Sequence, residues 1–397
     1  MVGILQRSRL FAEALERGAG AGCNPLNIVI DDVLGPVHAV IEGRRTLMFG
    51  TNSYLGLNFD PRCIAAAQAA LQHYGTGSTA SRVASGNQHL HMALEKELLQ
   101  LYDASDAIVF STGFMANLGT VGALAKEGDA ILLDAHCHAS LFDACKLSGA
   151  ATRTFRHNDP AHLDQILRES TVPPERTLVI AEGLYSVWGD VGALAALMQI
   201  AKARGAVTIV DEAHSLGIHG AKGRGVAEAQ GVEDLVDVVV GTFSKSVGVI
   251  GGYAVSRRPE LRKLRFQARP YLYTASLPPA VVAAAAEAIR VIRDEPERRE
   301  RLWRNAEMLG AGLRALDLRL TAPTGPVGAI VLPGIKAGLE IWRSLIARGL
   351  YVNLLIPPST PGGEVLLRYS VSAAHTPGDI ALAIEIIGET MAAVRAA

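Results

Sequence analysis

The sequence carries no surplus of either charge: 38 Lys and Arg stand against 39 Asp and Glu, a formal net charge of −1. A protein whose main partner is nucleic acid or an anionic membrane surface shows a broad basic footprint, so that class is excluded and only local basic patches remain. Long hydrophobic runs are also missing. Mean hydropathy is positive, +0.22, yet no stretch reaches the ~18 uninterrupted apolar residues needed to cross a bilayer. The alanine-rich run at 280–286 is closed by Glu287 and Arg290. Near the start, Gln6, Arg7, Arg9, Glu13, Glu16 and Arg17 interrupt any signal-peptide core, which places the chain in the cytoplasm, with peripheral contact to the inner membrane left open. Cys23, Cys63, Cys137 and Cys145 show no C-x-x-C spacing, so neither a disulfide framework nor a structural zinc site is expected and the thiols read as core residues. No Gly-Lys pair occurs anywhere, which excludes the phosphate loop of P-loop ATPases.

What is present is core-forming material: 397 residues, 49% hydrophobic, about two domains at ~150 residues each. Residues Ile4, Leu10, Phe11 and Leu15 predict an amphipathic helix that Gly18–Gly22 ends, and Val37, Ala39 and Ile41 alternate before Glu42-Gly43 and a second run at 46–49, a hairpin pattern. From Asn52 to about Tyr273, short apolar runs at 107–110, 130–133, 178–181, 207–210, 238–240 and 252–255 alternate with helical stretches. Runs apolar on both faces and spaced by helices predict an α/β domain with a parallel sheet covered on both sides. Ligands collect at the C-terminal strand ends of such sheets. After Leu277-Pro278-Pro279, a long helical stretch (280–315), β-like runs at 329–332, 352–355 and 365–370, and helices at 339–347 and 377–394 predict a smaller α+β C-terminal domain. The expected division is an arm at 1–50, a large domain at 51–278 and a C-terminal domain at 279–397.

The residues just past each run carry the chemistry. Lys245, in Gly241-Thr242-Phe243-Ser244-Lys245-Ser246-Val247-Gly248, sits at the mouth of a buried strand. Desolvation there lowers a lysine pKa and suits an amine that forms a Schiff base. Asp211-Glu212-Ala213-His214 puts a carboxylate at another strand terminus and an imidazole beyond it. A carboxylate beside a pyridinium nitrogen keeps a pyridoxal ring protonated, and His214 would reach the ring hydroxyl. Ser111-Thr112-Gly113-Phe114-Met115-Ala116-Asn117 opens a helix after a strand, where small residues leave backbone N–H groups for a phosphate. Thr242, with Thr274 or Ser276, would add hydroxyls. His138 follows a further strand and could stack on a pyridine ring.

Bland readings compete with each of these. A lone histidine after a strand is often structural, and the His136/His138 spacing would suit a metal but lacks a third ligand. Gly75-Thr76-Gly77-Ser78-Thr79-Ala80 matches a dinucleotide fingerprint as text but follows a helical stretch at 64–73 instead of a strand, which contradicts nicotinamide binding. The basic run Arg262, Lys263, Arg265 and Arg269 would suit the phosphates of CoA or simply a solvated helix face.

Taken together, these motifs, with Glu182-Gly183-Leu184-Tyr185-Ser186, Gly223-Arg224-Gly225, Arg269-Pro270-Tyr271-Leu272-Tyr273-Thr274-Ala275-Ser276-Leu277-Pro278-Pro279 and Ala374-His375-Thr376-Pro377, resemble the α-oxoamine synthases over nearly the whole chain. Within these fold-type I pyridoxal-phosphate transferases, which have an aspartate aminotransferase-like fold, the resemblance is nearest to the bacterial serine palmitoyltransferases. It implies pyridoxal 5′-phosphate as cofactor, Schiff-base linkage at Lys245, Asp211 on the pyridine nitrogen, His214 on the ring oxygen and His138 stacked on the ring. Gly113, Phe114, Ser186 and Thr242 would settle the ring and phosphate. Thr274 and Ser276 would reach the phosphate of the other subunit in a homodimer with interfacial sites. Arg368 would receive the amino-acid carboxylate, Asn52 would touch substrate at the entrance, and His138 would also grip a carboxylate or thioester oxygen.

The implied reaction is a decarboxylative Claisen condensation of an amino acid, L-serine, with an acyl-CoA, palmitoyl-CoA, giving 3-ketodihydrosphingosine, CoA and CO2. One departure stands out. The family arginine before the Pro-Pro of the C-terminal mobile loop is Ile356 here, followed by Pro357-Pro358, and Thr51-Asn52-Ser53-Tyr54 is closer to the oxononanoate synthases. The alternatives are therefore an alanine- or glycine-using α-oxoamine synthase of the 8-amino-7-oxononanoate type or of secondary metabolism and, from another class, a noncatalytic partner subunit, against which Lys245 argues.

Overall fold

The structure, a computed structural model, describes Pro25 and residues 27–322, 324–357, 359–360 and 362–396. The helix predicted around Ile4–Leu15, and Cys23, lie outside the described residues. Contacts divide the chain into two units, one of Asn52–Ser186 with Asp190–Arg301, the other of Met1–Thr51, Val187–Gly189 and Leu302–Ala397.

The first unit is built on a seven-stranded sheet. Its strands, in chain order, are β1 (Asp106–Phe110), β2 (Ala130–Asp134), β3 (Ala151–Phe155), β4 (Thr177–Glu182), β5 (Val207–Asp211), β6 (Val238–Thr242) and β7 (Gly252–Ser256). They lie side by side in the order β1-β7-β6-β5-β4-β2-β3. Five neighbouring strands, β6 to β3, run parallel, while β7 is antiparallel to both β6 and β1. The mostly parallel sheet expected from the apolar runs is present, and each of the six runs falls within a strand.

The absence of alternation in those runs has its physical cause in two cores. Ile131, Leu133, Ile180 and Ile209 point into one cluster with Phe110, Leu141 and Val240, and Leu132, Val179, Ala181 and Val210 point into the other with Leu163, Leu194 and Met198. Successive side chains of a strand face opposite sides, so both faces must be apolar. Each of the leucine, isoleucine and valine side chains contributes about 1.5–3 kcal/mol when fully buried. The seventh strand, β3, gave no apolar signal because it is an edge: Ala151, Thr152, Arg153 and Thr154 are exposed and only Phe155 is buried.

The stretch 280–315 expected as one long helix is two, Pro279–Asp294 and Pro296–Ala315. Pro296 cannot donate the backbone hydrogen bond that would continue the first. Helix Pro279–Asp294, placed beyond the 278 boundary by sequence, packs on helices Pro61–Tyr74 and His89–Tyr102 of the large unit.

In the other unit, Val327–Leu332, Val365–Ser370 and Asn353–Leu355 form an antiparallel sheet. The hairpin foreseen at 37–49 is His38–Ile41 and Arg44–Met48, closed by Glu42 and Gly43 at φ 51° and 70°. Positive φ at both central residues is the two-residue turn that matches strand twist, and it calls for glycine. Arg44–Met48 pairs parallel with Leu350–Tyr351, and Phe49 stacks on His375 at 4.1 Å. The segment read as an arm thus joins C-terminal elements. Cys63, Cys137 and Cys145 are free and buried. Among the described residues no helix is long and apolar enough to cross a membrane.

Candidate active site

Parallel strands end on one side, and four of the ends carry the polar residues singled out above. Asp211 closes β5 and lies in register with Glu182, which closes β4. Lys245 follows β6 by three residues, and His138 follows β2 by four. After β1, Thr112 caps helix Gly113–Leu124 and its hydroxyl accepts from Met115 N at 3.0 Å. These groups line one cleft of about 330 Å³ together with Phe114, Asn117, Ser140, His214, Thr242 and Ser244.

Each polar group is held in place. Asp211, 5% exposed, accepts from Ala213 N on Oδ1 and from Asn117 Nδ2 on Oδ2, both at 2.9 Å. His214 Nδ1 lies 2.8 Å from the hydroxyl of fully buried Tyr54. His138 is the N-cap of helix Ala139–Ser148, and its Nδ1 accepts from Ser140 N at 3.2 Å. Burial lowers the His138 pKa, the Lys245 charge lowers it further and Asp211 opposes, so the ring is neutral near pH 7. Glu182 is 3% exposed and accepts from His138 N through Oε1. Burial and then the neighbouring Asp211 charge push its pKa well up, against the pull of His138 N–H and Lys245. Two carboxylates side by side at neighbouring strand ends thus differ: Asp211 accepts from two donors, while burial pushes the Glu182 pKa up.

Pyridoxal phosphate fits this cleft. A lysine amine, a carboxylate with fixed geometry and an imidazole share it, and its rim has the open N-terminus of helix Gly113–Leu124. The first N–H groups of a helix have no partner within it and favour an anion. Gly113 makes the close approach possible, since a Cβ there would lie 2.7 Å from Thr242 Cβ. Thr242 Oγ1 donates to Gly251 O at 2.8 Å and lies 2.9 Å from Ser244 Oγ, a hydroxyl pair beside that helix start.

Residues 44–387 match the family described as aminotransferase class I and II. The chain belongs to the aminotransferase class I and II family. Within the family it is 44% identical over 394 residues to the serine palmitoyltransferase of Caulobacter vibrioides, covering 99% of this chain and 97% of that protein. It is 39% identical over 363 residues to the 8-amino-7-oxononanoate synthase of Pseudomonas putida, covering 91% and 92%. A solved structure of a serine palmitoyltransferase variant from Sphingomonas paucimobilis with a bound PLP–myriocin aldimine superposes with a TM-score of 0.92 at 42% identity, over 99% of this chain and 98% of that one. The resemblance and the fold class expected from the motifs are borne out.

The structure brings Lys245, Asp211, His214, His138, Gly113, Phe114 and Thr242 to the cleft. Ser186 lies in the turn beyond β4 and is not among the lining residues. Thr274 and Ser276 face a separate hollow with Arg82, His91 and Tyr271, where Ser276 Oγ donates to Gly86 O at 2.6 Å. Asn52 Oδ1 accepts from Tyr54 Oη at 3.2 Å. Arg368, in the other unit, is 6% exposed on strand Val365–Ser370, and its Nη1 donates to Ser370 Oγ at 3.2 Å. Ile356 follows strand Asn353–Leu355, half-buried, and its carbonyl accepts from Ser359 N at 3.0 Å.

Two expectations change. His136 and His138 do not share a face: the segment is a turn, His136 stacks on His157 at 3.9 Å and His138 enters the cleft. Arg265, placed in the solvated basic run, is bound internally to Glu95 at 3.1 Å and Asp106 at 2.8 Å, leaving Arg262 and Lys263 exposed. Asn117, Ser140, Glu182 and Tyr54 carry roles that sequence reasoning missed. Asn117 had a legible signal, since it lies one helical turn after Gly113 and so shares its face. Glu182 and Tyr54 had none beyond standing inside quoted motifs, and Ser140 had none.

Proposed function

We propose that the protein is a pyridoxal-phosphate-dependent C-acyltransferase that condenses L-serine with palmitoyl-CoA to 3-ketodihydrosphingosine, releasing CoA and CO2. The observation that carries this reading is Lys245 in one cleft with Asp211, His138 and His214, in a chain 44% identical to a serine palmitoyltransferase over 99% of its length.

When bound, pyridoxal phosphate supplies an electron sink for the carbanion formed at the amino-acid Cα. Lys245 Nζ would anchor the cofactor and would be the base that takes the α-proton of the amino acid. The Asp211 carboxylate, oriented by Ala213 N and Asn117 Nδ2, would hold the ring nitrogen. His214, set by Tyr54, would hold the ring oxygen through Nε2. His138 would cover one face of the ring, with Nε2 available to a substrate carboxylate or thioester oxygen. The start of helix Gly113–Leu124 and the Thr242 hydroxyl would hold the phosphate.

On the family resemblance alone, Arg368 receives the amino-acid carboxylate in the bidentate geometry a guanidinium offers, Asn52 touches substrate and Ser186 supports the cofactor. Thr274 and Ser276, in a hollow apart from their own chain's cleft, are read as reaching the phosphate of a second copy. The working unit is then a homodimer acting in the cytoplasm. Ile356 in place of the family arginine favours a second reading, with alanine or glycine as the amino acid. CoA release by the holoenzyme across serine, alanine, glycine and threonine, each against a series of acyl-CoA lengths, tests both. Serine with a long-chain thioester is expected to lead, and alanine or glycine leading would replace it with the second reading.

A further inference from the structure

Asn117 lies at the fifth position of helix Gly113–Leu124 and is 4% exposed. Its amide nitrogen makes two hydrogen bonds in different directions, to Asp211 Oδ2 and to Ser140 Oγ, each at 2.9 Å. A primary amide carries two N–H bonds, so both are satisfied at once. The amide cannot be flipped, because its oxygen would then face a carboxylate oxygen, acceptor against acceptor. This orientation leaves Asn117 Oδ1 buried with no partner among the described residues. A buried orphan acceptor is uncommon and calls for a reason. The reason is at the other end of the chain of bonds.

Ser140, 1% exposed, places Oγ 2.8 Å from His138 Nδ1, and its own backbone N–H points at the same nitrogen at 3.2 Å. Because the hydroxyl already accepts from Asn117, its proton is free to go to Nδ1. The backbone N–H cannot reverse its role at all. Nδ1 is therefore an acceptor, and a neutral imidazole whose Nδ1 accepts carries its proton on Nε2.

We propose that Asn117 and Ser140 are positioning residues that lock His138 in the neutral Nε2–H form and couple that form to Asp211. The proposal rests on reading the cleft as a pyridoxal-phosphate site. Charging His138 would put a proton on Nδ1, against the Ser140 N–H. The charged or titratable groups around the ring act in different directions: Lys245 opposes a positive charge, Asp211 favours one, and Glu182, whose pKa burial pushes up, accepts from the His138 backbone N–H. A neutral ring stacked on the cofactor does not repel the protonated pyridine nitrogen, and its Nε2–H is a one-way donor to substrate oxygen.

Two measurements test the lock. In holoenzyme labelled with 15N-histidine, the resonance lost in His138→Gln is expected to report protonated Nε2 and bare Nδ1 on both sides of the pH near 6.5 at which an ordinary histidine titrates. An Nδ1–H form, or titration near pH 6.5, overturns the proposal. In Ser140→Ala and Asn117→Leu holoenzymes, loss of a donor to the neutral form is expected to move the acidic limb of kcat/KM up by about one pH unit. Because both residues act through one chain of bonds, the double variant should shift no further than the larger single one. Unshifted limbs in variants that keep the cofactor's visible absorbance, or fully additive shifts, contradict the proposal. If the wild-type protein binds no pyridoxal phosphate at Lys245, the reading of the cleft fails and the lock fails with it. A bound cofactor with a freely titrating His138 sinks the lock alone.

Discussion

Tyr54 Oη stands 2.8 Å from His214 Nδ1 and 3.2 Å from Asn52 Oδ1. One buried phenol thus orients two of the residues expected to meet cofactor and substrate, though it is assigned to neither. Tyr54→Phe removes the hydroxyl and no carbon. A lost hydrogen bond to a buried group costs about 1–3 kcal/mol, of which 1.4 kcal/mol is tenfold in affinity. Apoenzyme titrated with pyridoxal phosphate is expected to bind it about tenfold more weakly in the variant. Unchanged affinity would remove His214 from the account of the cofactor site.

Gly113 gives a second prediction. The Cβ of Gly113→Ala would lie 2.7 Å from Thr242 Cβ and 3.0 Å from its Oγ1, so the helix start must move away from the hydroxyl pair. The variant should keep its fold and lose about tenfold or more in cofactor affinity, measured by absorbance titration. A superimposable titration would show that the phosphate is held elsewhere.

Beside the cleft, His157 Nδ1 and Nε2 contact Asp134 Oδ1 at 2.8 Å and Asp190 Oδ2 at 2.7 Å, with His136 and Tyr185 against the ring. Burial opposes a charge on His157, but the two carboxylates outweigh it and raise the pKa to about 9. With an unfolded value near 6.5, the folded state binds the extra proton between the two values. The stabilisation is therefore full below about pH 6.5, declines as pH rises and is gone above about pH 9. Melting temperature should fall over that interval in the wild type and change less with pH in His157→Gln. Parallel pH curves for the two proteins would refute the clamp. Because Asp134 also accepts from His136 N at 2.9 Å, the clamp supports the turn that delivers His138.

Much of this was legible in the sequence because a buried parallel strand needs a run of apolar residues and leaves the polar residues that follow it at the ligand end. Lys245, Asp211 and His138 were found by that rule. The edge strand Ala151–Phe155 escaped it, since only Phe155 is buried and the other four residues have no core to mark them. The break before Pro296 was written in the chain but masked by helical periodicity on both sides. What could not be read were links set by folding: Asn117 to Asp211 spans 94 residues and Tyr54 to His214 spans 160. Nor does local pattern say that Arg44–Met48 will pair with Leu350–Tyr351.

The most direct test of the central claim is release of labelled CO2 from carboxyl-labelled L-serine by the holoenzyme with palmitoyl-CoA, with CoA thiol counted in the same tube. One CO2 per CoA is predicted, with none from Lys245→Ala, in which borohydride should no longer fix the cofactor to the chain. CoA release that needs alanine or glycine instead of serine, or no CO2 with any long-chain thioester, would contradict it.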